Sequence, residues 1–183
     1  MKTPNGELSV KSAFKEISEE SHAPLTILVL GRIWKTRLHK HLKLLLWQVA
    51  AGLLPTKDSL VKFAVSLNPT CVLCEKMDES IVHLLWNCDL ARAIWFGSAW
   101  FIHTNCIPVH NPAKIMENLI SPPPEFQING DLCEEFLLTG AIIIDQLWKY
   151  RNFKVHEGSM LCAKKILRNV TVLVSKHRGW RLI

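Results

Sequence analysis

The amino-acid sequence predicts a mainly α-helical fold: a small helical domain with a zinc-stabilised loop and at most one short N-terminal strand. Apolar residues recur at helical spacing along most of the chain, and few segments alternate apolar with polar residues. A compact run of cysteine and histidine residues between positions 71 and 88 predicts the loop. With 49% hydrophobic residues and seven tryptophans among 183 residues, the chain can bury a real core, which excludes wholesale disorder.

The first third of the chain predicts a strand and then helices. Residues 7–10 favour an extended piece, and residues 10–17 carry apolar side chains at helical spacing. The run 25–34 is apolar, and its pattern leaves a strand and a helix start equally open. The best helix covers residues 38–52, and Gly52 suits its C-terminal cap. Its apolar stripe consists of Leu38, Leu42, Leu45, Leu46, Val49 and Ala50.

Four more helices are predicted further along, over residues 57–64, 89–100, 131–155 and 162–177. Thr56 is placed to cap the first of them. The expected core centres on Trp34, Trp47, Phe63, Leu85 and Trp95.

Proline placement predicts the domain organisation. Pro108, Pro112 and the triplet 122–124 suggest a linker over residues 105–130. This divides the chain into a zinc-binding domain at 1–104, the linker, and a C-terminal helical extension at 131–183.

The most specific motif is C-x2-C-x8-H-x4-C, formed by Cys71, Cys74, His83 and Cys88. Zn²⁺ binds thiolate sulfur and imidazole nitrogen in a tetrahedron, and four protein ligands leave no position for a reactive water. We therefore expect a structural zinc ion on these four residues. A redox role for the Cys pair is not supported, because no βαβ pattern surrounds it. Thiols buried beside a histidine by chance are the remaining alternative.

The spacing of the last two ligands constrains the local structure. Five residues rotate a regular helix by roughly 500°, so His83 and Cys88 would not share a helix face. We expect His83 in a short helix, Cys88 just past its end, and Asp89 as the cap of a second helix.

Charge is distributed unevenly around a net charge of +6. Residues 33–64 carry +5 and residues 149–183 carry +8, whereas residues 101–148 carry −5. Two basic blocks are compatible with a polyanionic partner such as DNA or RNA, although solvated basic helix faces are the common alternative. The candidate phosphate contacts are Lys35, Arg37, Lys40, His41 and Lys43. Residues 164–181 form the remaining basic candidate.

The sequence does not predict an enzyme. It contains no phosphate-binding glycine motif, and its other histidines lack a catalytic partner nearby in the sequence. No small-molecule substrate is expected. No membrane contact is expected either, because no apolar run is long enough for a membrane helix. Without a signal peptide, an intracellular location, nuclear or cytoplasmic, is expected rather than secretion.

An ordered series of motifs resembles a known family. The series consists of Gly6-x-Leu8-Ser9-Val10-Lys11-Ser12-Ala13-Phe14, Ile33-Trp34-Lys35, Leu44-Leu45-Leu46-Trp47, Leu54-Pro55-Thr56, the four metal ligands, and Ala93-Ile94-Trp95-Phe96. It resembles the zinc-binding domain downstream of reverse transcriptase in plant LINE-type (non-LTR) retrotransposons. Trp148-Lys149-Tyr150-Arg151-Asn152 with His156-Glu157-Gly158 resembles the helix that precedes ribonuclease H in those polyproteins.

The resemblance implies an accessory domain without catalytic activity of its own. The chain lacks the Tyr-x-Asp-Asp motif of a polymerase and the ordered carboxylates that would bind the two metals of a ribonuclease H. In place of a family Pro-Pro-Lys-type segment it has Leu38-His39-Lys40-His41. Two functions remain open at this point. The first is non-specific nucleic-acid binding, and the second is a scaffold that contacts the reverse-transcriptase or ribonuclease H regions of a related polyprotein.

Overall fold

The computed structural model describes residues 24–61, 68–158 and 162–180, and the mainly α fold class is confirmed within them. The α-helices are α1 (Pro24–Lys35), α2 (Lys40–Ala50), α3 (Lys57–Val61), α4 (Asp89–Gly97), α5 (Pro112–Ile120), α6 (Cys133–Glu157) and α7 (Ala163–Trp180). A π-helical turn covers His83–Asn87, and 3-10 turns cover Thr104–Cys106, Pro124–Phe126 and Gly130–Leu132. The β-type pairing found in the described residues is a single antiparallel bridge between Thr70 and Asp78.

Helix α6 is the central element of the fold. Its residues 136–145 are all buried, and a helix that is apolar around most of its circumference belongs in a core. Helices α2, α4, α5 and α7 and the π-helical turn all contact it. The helix ends at Gly158, whose φ of 69° is the left-handed conformation typical of a glycine after a helix.

Helices α1 and α2 bring the predicted apolar stripe to the core. The stretch left open between strand and helix is helical, and Val29, Leu30 and Ile33 are buried within it. The side chain of His39 caps α2 by accepting a hydrogen bond from the His41 amide. The expectation that Trp34 is a core residue is wrong. Its side chain is 49% exposed because the neighbouring Ile33 takes the inward position on α1.

The other expected core residues have mixed outcomes. Leu85 and Trp95 are buried, and Trp47 is partly buried against the core. Phe63 lies outside the described residues. So do the predicted strand at 8–10 and the helix at 10–17.

The interval 105–130, predicted as a linker, contains a core helix. Asn111 caps α5 by accepting a hydrogen bond from the Lys114 amide, and Ile115, Met116 and Leu119 are fully buried. Helix α5 contacts α1, α2 and α6. The domain boundaries stay a prediction, but the packing joins the residues on both sides of 105–130.

Helix α7 packs on α6 and α4. Its buried residues Ile166, Val170 and Val174 recur at a spacing of four, so one face is turned to the core and the other to solvent. None of the helices in the described residues combines the length and apolarity needed to cross a membrane.

Gly140, in the middle of α6, allows three elements to pack closely. A Cβ atom at this position would lie 2.6 Å from Leu119 Cδ2 of α5 and 3.2 Å from the ring of Trp95 of α4. Both neighbours are buried and have little room to move. Gly140→Ala should therefore lower the free energy of unfolding by about 1–3 kcal/mol. Chemical denaturation measures this change.

Gly31 provides the matched control, because it lies in α1 and a Cβ there would meet no atom within 4 Å. Gly31→Ala should raise stability by up to about 1 kcal/mol through helix propensity. Equal effects of the two substitutions would contradict the close packing around Gly140.

Candidate metal centre

The structure brings all four predicted ligands to one place. The ligand atoms of Cys71, Cys74, His83 and Cys88 all lie within 4.8 Å of one another. Cys74 Sγ is 3.2 Å from His83 Nε2. Cys71 and Cys88 are fully buried, whereas Cys74 and His83 are partly exposed. The cluster thus has a buried side and a side that faces solvent.

A hairpin-like loop presents the first two cysteines. The Glu79 amide donates to the Pro69 carbonyl over 2.9 Å, and the Cys71 amide donates to the Met77 carbonyl over 2.8 Å. Within this loop, the Glu75 amide donates to the Cys71 carbonyl over 2.9 Å. Glu75 has a φ of 58°, which reverses the chain directly after Cys74. The turn therefore places both sulfur atoms on its inner side.

The π-helical turn positions the second pair. The Cys88 amide donates to the His83 carbonyl over 2.6 Å, a bond that spans five residues instead of four. The wider turn brings together two residues that a regular α-helix would separate by more than a full turn. His83 thus begins a short helical turn and Cys88 follows it, which is the arrangement expected from the spacing.

The expectation that Asp89 caps the second helix is wrong by one residue. Cys88 holds the N-cap position of α4, and Asp89 is the first residue of the helix. There its carboxylate lies near the positive end of the helix dipole and accepts a hydrogen bond from Lys76 Nζ over 2.7 Å. This bond joins the first loop to the start of α4. Hydrogen bonding to Lys76 also lowers the pKa of Asp89.

Close contacts within the cluster shift the pKa values of Cys71, His83 and Cys88. The hydrogen bond with Cys88 is the main cause of a lowered pKa at Cys71, and the same bond raises the pKa of Cys88. Hydrogen bonding to Cys71 likewise raises the pKa of His83. Because several thiolates so close together would repel one another, the pair favours a thiolate at Cys71 and a protonated thiol at Cys88. A dication removes this constraint, since metal binding deprotonates coordinating thiols.

The donor set fits zinc. Three thiols and one imidazole make a closed structural site that leaves no position for a reactive water. An open depression of about 740 Å³ reaches Cys74 and His83 from the solvent and gives an ion access to the cluster. The arrangement can hold a metal ion and, through it, the loops that carry the four ligands.

A buried ion pair links the hairpin-like loop at residues 69–79, here called the metal loop, to helix α6. Arg151 Nη2 and Nε donate to Glu79 Oε1 over 2.6 and 3.0 Å, and the Glu79 side chain is fully buried. The same oxygen accepts a hydrogen bond from the Lys57 amide, at the start of α3. The guanidinium of Arg151 also lies over the Trp148 ring, 5.2 Å from its centroid. Glu79 therefore connects the loop between Cys74 and His83 to two helices.

A second contact reinforces this link one turn along the helix. Lys154 Nζ lies 3.0 Å from Glu75 Oε1, directly after Cys74 in the sequence. Sequence reasoning missed Glu79, because an acidic residue in a polar loop gives no signal of burial. Arg151 was noted only as part of a family-like motif, and its partner lies 72 residues away.

The candidate phosphate-binding residues have different environments. Lys35 and Lys40 are exposed, and neither has an ion-pair partner among the described residues. Arg37 lies 3.8 Å from Glu134. His41 Nε2 is 2.9 Å from the buried carboxylate of Asp145, and Lys43 Nζ donates to the Trp34 carbonyl over 3.1 Å. Three of the five side chains thus have partners within the fold.

Comparison with known proteins agrees with the metal centre. The family described as zinc-binding in reverse transcriptase matches residues 8–95, which contain all four ligands. The match supports a reverse-transcriptase zinc-binding domain in this part of the chain. The "Putative ribonuclease H protein" of Arabidopsis thaliana is 27% identical over 92 residues, which cover 50% of this chain. These residues are 15% of that relative's length. No solved structure matches the chain.

We expect the protein to bind one Zn²⁺ per chain, and Cys71→Ser should lower zinc affinity more than about 100-fold because it removes a fully buried ligand. Competition with a chromophoric chelator measures the affinity. Cys106→Ser is the control, since Cys106 is exposed and lies outside the cluster. Equal zinc affinity for both variants would contradict the assignment.

Breaking the Glu79–Arg151 pair should be costly. Arg151→Met leaves the Glu79 carboxylate buried without its cation, which should lower the free energy of unfolding by about 3–5 kcal/mol. The double variant Glu79→Gln/Arg151→Met should recover much of this loss, because no buried charge remains. Denaturant titration of the single and double variants gives the coupling.

Lys114→Ala is the control for that experiment, since it removes a partly exposed pair with Glu117 within α5. Its effect should stay within about 0.5 kcal/mol. If Arg151→Met were equally mild, the buried pair would not be what holds the loop to α6.

Proposed function

We propose that this protein is a retroelement-derived structural-zinc module, of the kind found in plant LINE-type retrotransposons, that binds nucleic acid without sequence preference and has no catalytic activity of its own. The convergence of three thiols and one imidazole within 4.8 Å carries the zinc part of the proposal. The match to a zinc-binding domain of reverse transcriptases over residues 8–95 supports its origin. In such an element the template is nucleic acid, so an accessory domain that holds DNA or RNA would serve the neighbouring enzyme.

The basic residues from the end of α1 to the first turn of α2 support the nucleic-acid part. Lys35 and Lys40 are exposed without an ion-pair partner in the described part of the chain, so their charges are available to phosphates. Arg37 is exposed, and its 3.8 Å contact with Glu134 is a weak surface pair. His41 and Lys43 contribute less, because Asp145 and the Trp34 carbonyl already bind them.

A second candidate function is a scaffold that contacts protein and not nucleic acid. The observation that favours it is that Arg37, His41 and Lys43 each contact another part of the same fold. In this alternative the basic residues stabilise the packing of α2 on α6 or keep the protein soluble. The partners would be the reverse-transcriptase or ribonuclease H regions of a related polyprotein.

A salt titration distinguishes the two functions. We expect the zinc-loaded protein to bind unrelated DNA and RNA sequences about equally, with log affinity falling linearly against log salt concentration as counterions are released. Lys35→Ala/Lys40→Ala should weaken binding to all sequences and flatten the slope by roughly one unit per lost phosphate contact. Fluorescence anisotropy at several salt concentrations measures both quantities.

The matched control is Lys76→Ala/Lys114→Ala, which removes the same charge from two lysines that are already paired with acidic residues. It should change the slope less than Lys35→Ala/Lys40→Ala. Binding by the parent with no salt dependence, or no binding at all, would contradict the proposal and favour the scaffold.

A further inference from the structure

An exposed aromatic cluster lies at the C-terminal end of α4. Phe96 is 49% exposed and Phe101 is 66% exposed. Their ring centroids are 6.2 Å apart in an edge-to-face arrangement, and the ring of exposed His103 lies 4.7 Å from that of Phe96. Two exposed phenylalanines that contact each other are uncommon on a protein surface, and their flat ring faces are open to a partner.

The backbone holds Phe101 outward in an unfavourable conformation. Its φ of 49° lies in the left-handed region, which bulky residues seldom adopt. A hydrogen bond from the Phe101 amide to the Ser98 carbonyl, 3.3 Å long, closes the turn that produces this conformation. Unfavourable backbone conformations concentrate at functional sites, so an exposed ring held in this way suggests a binding role.

A basic face of α7 supplies charge. Lys164, Lys165, Arg168 and Lys176 are all exposed, and in the described part of the chain none of them has an ion-pair partner. Residues 162–180 contain no Asp or Glu. Because Ile166, Val170 and Val174 face the core, packing turns these four cations to solvent. Among the described residues, the α7 basic face thus has four unpaired cations, whereas three of the five candidates within residues 35–43 have partners in the fold.

Close packing joins helix α4, which precedes the aromatic cluster, to helix α7, which carries the basic face. A Cβ atom on Gly97 of α4 would lie 2.7 Å from Leu167 Cδ1 of α7, so the two helices touch at this point. Phe96 directly precedes Gly97. Lys164 lies one helical turn before Leu167, and Arg168 directly follows it. The exposed rings and the two cations thus belong to segments that adjoin one helix–helix contact.

We propose that the aromatic cluster and the α7 basic face together bind single-stranded nucleic acid. Bases would stack on Phe96, Phe101 and His103, while Lys164 and Arg168 contact the phosphates. Proteins that bind single strands combine stacking rings with a basic surface, and stacking requires bases that are not enclosed in a duplex. This inference rests on the proposed function and adds a preference for single strands, with a surface formed by residues beyond the family match at 8–95.

The test compares single strands, both DNA and RNA, with a duplex of the same sequence. Phe96→Leu/Phe101→Leu keeps apolar bulk but removes the rings, so it should weaken single-strand binding about 5- to 100-fold and leave duplex binding unchanged. Lys164→Ala/Arg168→Ala should weaken both and flatten the salt slope for single strands by roughly 0.7 per lost contact. Thermal unfolding checks that each variant folds.

A measurement on the unaltered protein does not depend on whether the variants fold. Photocrosslinking with a bromouridine-substituted single strand should label residues 96–103. Labelling confined to residues 35–43, or a leucine variant with the parent's single-strand preference, would overturn this inference while leaving the proposed function intact. A parent protein with no salt-dependent affinity for any nucleic acid would overturn both.

Discussion

The constraint on which the rest of this structure depends is the crowding of three thiols and one imidazole within 4.8 Å. The close contact between Cys71 and Cys88 shifts their pKa values in opposite directions, because two neighbouring thiolates would repel each other. A zinc ion would convert this repulsion into four bonds. Because the ligands come from a hairpin-like loop and a π-helical turn, metal binding and loop folding are coupled. Three thiols and one imidazole are the donor set of a structural zinc site.

Helix α6 connects the metal loop to the core. Arg151 and Lys154 contact acidic residues of the metal loop, while the first half of the same helix forms the centre of the core. The metal loop is thus bound to a helix that packs against α2, α4, α5 and α7. Lys40, Phe96 and the α7 basic face lie on α2, α4 and α7, which all contact α6, so their relative positions depend on the same core.

Some of this structure could be predicted from the sequence. The stripe of α2 and the spacing of the metal ligands are local patterns, and local patterns determine helix faces and turns. The exposure of Trp34, the burial of Glu79 and the core helix within residues 105–130 could not be predicted. Each depends on which distant residue packs against it, and periodicity contains no information about tertiary partners. The π-helical turn could not be predicted either, because the expected positions of His83 and Cys88 were based on the geometry of a regular α-helix.

The most direct test of the account is thermal unfolding of the purified protein with and without a strong zinc chelator, together with its metal content. We expect one zinc ion per chain. Loss of that ion should lower the unfolding temperature in a single cooperative transition, because Glu79 and Arg151 join the metal loop to the core. Restoring zinc should restore the transition. A protein that contains no zinc, or that unfolds at the same temperature after chelation, would contradict the account.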